Sequence, residues 1–212
     1  MKVIKRILLG AINDNVFKRI GWLYISFFLI FYIFMLSSFF LLPEGILKGK
    51  HPLINLLDTP HNLWASTIQM FTYNLIPTFL LMASSLIAQQ SKLINGKFIP
   101  ISYYAFWALI LNFGVILGTW SFYSNKPAET LFQRIFHTFD IYHNSGLIEI
   151  TAYILVVAVS YRFTLWYSDG KNIVSSRKIK EINLKKEEKV ILLLAFLLLF
   201  IGALIESYWL VK

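Results

Sequence analysis

Five stretches of about twenty residues, nearly free of charge, dominate this sequence: 21–42, 63–88, 101–122, 145–166 and 190–210. About 20 apolar residues in a helix cross the hydrocarbon core of a bilayer. Lipid offers no hydrogen bonds, so each such stretch must satisfy its own backbone, which a helix does. The spacing therefore predicts an all-α, polytopic membrane bundle of about five transmembrane helices, a single integral-membrane domain across 1–212. Composition agrees. Hydrophobic residues make up 57% of the chain and charged ones 15%, against about 25% charged in a soluble domain. There are no cysteines, which excludes disulfides, thiolate nucleophiles and cysteine-ligated metals. The first stretch is long for a signal-peptide core and no small-residue cleavage site follows it, so it reads as a retained span.

Basic residues set the expected orientation. With the N-terminus inside, the inner segments carry Lys2, Lys5, Arg6, Lys18, Arg19, Lys92, Lys97, Lys171, Arg177, Lys178, Lys180, Lys185, Lys186 and Lys189. The outer segments carry only Lys48, Lys50, Lys126, Arg134 and Lys212. Cytoplasmic loops are enriched in Lys and Arg, so the N-terminus is expected in the cytoplasm and the C-terminus outside. The same distribution explains the net charge of +9 without nucleic acid, for which no binding motif is present. Residues 3–17 place apolar and basic side chains at helical spacing, as in an amphipathic helix on the inner surface. Residues 128–142 form a second such stripe, expected as an amphipathic or re-entrant helix before span four. The basic loop 169–189 reads as a solvated cytoplasmic connection.

Inside lipid the polar residues are the informative ones. Glu149 falls about one turn into span four, and Glu206 about one turn before the end of span five, so both sit toward the outer leaflet. Small residues flank them: Ser145 and Ala152 around Glu149, Gly202 and Ala203 before Glu206. Small residues let a second backbone approach. Two readings stand: a buried pair sharing a proton or binding a cation, or two interfacial carboxylates in contact with water. Asn74 lies mid-span, three residues before Pro77, and suits a hydrogen bond between helices. Asn112 reads the same way, and Gly114 with Gly118 predicts close helix packing. His51, His61, His137 and His143 all fall outside, but without metal-ligand spacing, so neither metal nor cofactor is expected. His143, just before span four, is the histidine placed best for acid–base chemistry.

Four motifs resemble one family in order and spacing. FTYNL at 71–75 is similar to its Phe-x-x-Asn element and LINGK at 93–97 to its Asn-Gly turn. NSGLIEITAYILV at 144–156 is similar to its Pro-His-Gly-x-x-Glu stretch, and LIESYW at 204–209 to its Ile-Glu-aromatic end. The family is that of stage II sporulation protein M, and the likeness covers roughly residues 65–212. Carried over residue by residue, it supports Asn74, Asn95, Gly96, Gly146, Glu149 and Glu206. The family's histidine position holds Ser145 here, with His143 two residues earlier. The resemblance implies a multi-pass partner of other envelope or membrane proteins, an ABC transporter or a peptidoglycan hydrolase among them. Members act in sporulation, beside ABC transporters, and in bacteriocin maturation. Three functions follow as expectations. The first is a non-enzymatic scaffold in the lipid bilayer. The second is a carboxylate-dependent intramembrane peptidase or cyclase using Glu149, Glu206 and His143. The third is an accessory transporter subunit.

Overall fold

The computed structural model describes residues 2–48, 62–121, 128–136 and 145–211. It is 72% helical. Among the described residues seven α-helices run in chain order: α1 Lys2–Ala11, α2 Val16–Leu41, α3 Leu63–Ser84, α4 Ile101–Gly118, α5 Leu131–Phe136, α6 Gly146–Ser160 and α7 Lys186–Val211. Four segments, Val16–Leu41, Ile101–Gly118, Gly146–Phe163 and Lys186–Val211, are long and apolar enough to cross a membrane. The fifth long helix, α3, occupies the place of expected span two but is not among those four. Its Ser66, Thr67, Gln69, Thr72, Asn74 and Thr78 dilute its apolar content. Ser66, Thr67 and Thr78 are turned inward and fully buried.

α6 is the central helix. Every residue from 152 to 160 is buried, as expected of a helix packed on all sides, and α2, α3, α4 and α7 all pack against it. α2 and α4 form the tightest pair. A Cβ on Gly114 would lie 2.7 Å from the Phe31 carbonyl oxygen, and one on Gly118 would overlap Met35 O and Ser38 Oγ. The Gly-x-x-x-Gly pattern thus marks a real backbone approach. Asn112, by contrast, is exposed rather than set between helices.

The expected all-helical architecture needs one correction: four short strands form a sheet at one end of the bundle. They are β1 Ile87–Ser91, β2 Lys97–Pro100, β3 Trp166–Ser168 and β4 Ile173–Ser176, in the order β2-β1-β3-β4. β1 and β2 are an antiparallel hairpin, β1 and β3 are parallel, and β3 and β4 are antiparallel. The hairpin turns at Asn95 (φ 58°) and Gly96 (φ 77°), the left-handed region that Asn and Gly tolerate best. Asp169 closes the β3–β4 turn by accepting from the amides of Lys171 and Asn172, and these bonds hold its carboxyl below the usual carboxylate range. Loop 169–189 is therefore partly built into a sheet rather than a plain solvated connection.

The sheet ties the C-terminal ends of α3 and α6 to the N-terminal ends of α4 and α7. Arg19 brings the start of α2 to the same end, through Glu188 and the Ala158 carbonyl. The five long helices therefore alternate in direction. The helix expected over 3–17 ends at Ala11, where Asn13, Asp14 and Asn15 intervene. Asn15 then caps α2 by accepting from the amides of Phe17 and Lys18. α1 lies partly on protein: Leu8 and Ala11 are buried, the Gly10 backbone is against Trp22, and the Tyr103 hydroxyl donates to Ala11 O at 2.7 Å. Val3 and Ile4 stay exposed. Of the stripe expected over 128–142, a helix is present at α5, and residues 137–142 lie outside the described ones.

Candidate functional site: a carboxylate pair at the end opposite the sheet

Glu149 stands in the first turn of α6, where the partial positive charge of a helix N-terminus favours an acid. Its side chain lies on Gly202 of α7: a Cβ there would meet Glu149 Cγ at 3.0 Å and Oε1 at 3.3 Å. Only a residue without a side chain leaves this room. Ser145 and Asn74 flank the carboxylate. Oε1 is shut off from solvent and has no hydrogen-bond partner. One turn deeper, the Tyr153 hydroxyl donates to Asn74 Oδ1 at 3.4 Å. Asn74 Nδ2 is also buried and unpartnered.

Glu206 follows Gly202 by one turn on α7 and lies within electrostatic reach of Glu149. Tyr153 feels both charges. Helix direction brings the two acids together. Cα–Cβ bonds tilt toward a helix N-terminus, so Glu149 leans toward the far end of the bundle and Glu206 leans back from it. Contacts of Phe71 with Phe200 (centroids 5.6 Å apart) and Phe79 with Phe196 (6.5 Å) zip α3 antiparallel along α7. α3 thereby delivers Asn74 to the pair.

The structure thus brings together Asn74, Ser145, Glu149 and Glu206, with Gly146 opening α6 beside them. Asn95 and Gly96 are far away, in the hairpin at the sheet end, where Asn95 Oδ1 accepts from Lys5 Nζ at 3.2 Å. His143 lies outside the described residues, as do His51, His61 and His137. Among the described residues no group of three or more His, Cys, Asp or Glu is placed to hold a metal.

Two buried cationic clusters went unpredicted. At the sheet end, Arg19 and Glu188 are both 0% exposed and paired at 2.6 Å. Arg162 Nε donates to the same Glu188 oxygen at 3.1 Å, and the Lys185 amide donates to the other at 3.0 Å. Arg19 also donates to Ala158 O, Asn13 O and Asp14 O and stacks on Tyr161. At the far end, Arg134 of α5 donates to Leu117 O, Gly118 O and Glu129 O, capping α4 between the rings of Phe39 and Trp120. These cations are well supplied with acceptors, which marks them as fastenings. The carboxylate pair differs: it sits among polar atoms without partners.

The family model of stage II sporulation protein M matches residues 25–209. The chain belongs to the stage II sporulation protein M family. The match begins within α2 and ends within α7, taking in all of α3, α4 and α6 and every residue of the carboxylate site. Neither the curated proteins nor the solved structures searched contain a match. Membership in the stage II sporulation protein M family and four membrane-capable helices make this a membrane protein, of a family tied by name to sporulation.

Proposed function

We propose that the chain is a five-span protein of the bacterial cell membrane, N-terminus inside and C-terminus outside, that serves as a non-enzymatic partner or scaffold for other membrane or envelope proteins. The whole chain forms one integral-membrane domain in this reading. The alternation of five long helices supports the span count, and the concentration of Lys and Arg at the sheet end supports its cytoplasmic placement. The observation that carries the partner role is the free edge of the sheet. All four residues of β4 are exposed, with Ile173 at 64% and Val174 at 53%. An edge strand offers open N–H and C=O groups to an extended segment of another chain. The exposed Lys171 and Lys178 beside it favour an acidic segment.

The test is a photo-crosslinking residue at Val174 in the native host, with adducts mapped by mass spectrometry. The expected result is an adduct to an acidic segment of a membrane or envelope protein, lost in Ile173→Glu, which repels such a segment. No adduct, or one indifferent to that charge, contradicts the reading. An adduct to an ABC transporter subunit assigns the accessory role. The position of Glu149 beside Glu206 favours a second reading, a carboxylate-dependent peptidase or cyclase in sporulation or bacteriocin maturation. Glu149→Gln separates the two: lost processing with intact adducts supports the enzyme.

A further inference from the structure

Four buried polar atoms on α3, α6 and α7 have no hydrogen-bond partner: Ser66 Oγ, Asn74 Nδ2, Glu149 Oε1 and Ser207 Oγ. Native interiors leave few such atoms, because each gives up its hydrogen bonds with water and gains none in return. Ser66 and Ser207 are both 0% exposed. Ser66 shares a face of α3 with Asn74, two turns away. The contact of Phe71 with Phe200 sets the register, and five residues from it on each antiparallel helix Ser66 comes level with Ile205, the residue before Glu206 and Ser207. Two hydroxyls thus accompany two carboxylates between α3, α6 and α7.

From this convergence we infer that Glu149 and Glu206, with the hydroxyls beside them, bind one hard divalent cation of the Mg²⁺ or Ca²⁺ kind. Charge balance selects the valence. Two carboxylates with one shared proton or one monovalent ion keep a net negative charge, which is expensive at membrane depth. One divalent cation brings the net charge to zero. The donor set selects hardness: the carboxylates and hydroxyls offer only oxygen, which suits Mg²⁺ and Ca²⁺ over softer metals. This site is independent of what binds the β4 edge.

The experiment uses the full chain in nanodiscs of uncharged phosphatidylcholine, stripped with a chelator. Ca²⁺ and Mg²⁺ are then titrated separately by calorimetry. The expected result is one saturable site for at least one of the two ions. Glu149→Gln and Glu206→Gln each weaken it by about tenfold or more, while Asp169→Asn, an exposed acid at the sheet end, leaves it unchanged. Thermal unfolding of the unaltered protein supplies a second readout that needs no variant: the ion raises the midpoint above that in KCl of matched ionic strength. Absence of saturable binding and of that rise overturns the inference, as does binding that survives both glutamine variants.

Discussion

Arg19 shows how much a single residue does at the sheet end. Its guanidinium joins α2 to α6 and α7 with every contact buried or nearly so. Breaking a buried ion pair costs about 3–5 kcal/mol when the other charge is stranded; Arg162 and the Lys185 amide still hold Glu188 here, which brings the cost down to about 2–3 kcal/mol. Arg19→Met is therefore expected to lower stability in detergent by that amount, read from unfolding by denaturant. Adding Glu188→Met to it should recover part of the loss, because no buried carboxylate remains. The glycines make a graded set. Gly118→Ala places a methyl into Met35 O and Ser38 Oγ and is expected to cost about 1–3 kcal/mol. Gly21→Ala meets nothing within 4 Å and should be neutral or slightly stabilising. The acids were legible in the sequence because a charge within an apolar run is conspicuous. Arg19 and Glu188 were not. The helices extend past the apolar stretches, α2 starting at Val16 and α7 at Lys186, so both residues looked like part of the basic flanks.

Among the elements, α5 and the sheet are where sequence patterning runs out. The strands are three to five residues long, too short to show alternation. β1 and β3 come from segments nearly eighty residues apart, paired because α3 and α6 end side by side. The Asn-Gly turn was visible, since its two left-handed residues need that chemistry. α5 matters through Arg134, which satisfies the last carbonyls of α4. Trp120, the residue just beyond, holds φ 49°, an uncommon conformation for a bulky side chain. Its amide donates to Leu117 O and the Ser121 amide to Ile116 O, the pairing of a Schellman turn. Arg134→Ala removes the cap and the stacking on Trp120 together. The expected loss is about 1–3 kcal/mol, checked by unfolding, with α4 amides near Gly118 losing hydrogen-exchange protection first.

At the scale of the whole molecule, the helix bundle has two unlike ends. One holds the basic residues, the sheet and a satisfied ionic clamp; the other holds a carboxylate pair among unpartnered polar atoms. Everything functional depends on these ends facing opposite sides of a membrane, with α3 crossing it despite its polar residues. The chain has no cysteines, so single cysteines can be introduced without background. The decisive measurement is labelling of Glu44→Cys, Leu93→Cys, Ala128→Cys and Ser176→Cys in intact cells with a membrane-impermeant thiol reagent. All four positions are exposed. The five-span account predicts that Glu44→Cys and Ala128→Cys react from outside, whereas Leu93→Cys and Ser176→Cys react only after permeabilisation. Reaction of Leu93→Cys or Ser176→Cys in intact cells would contradict it.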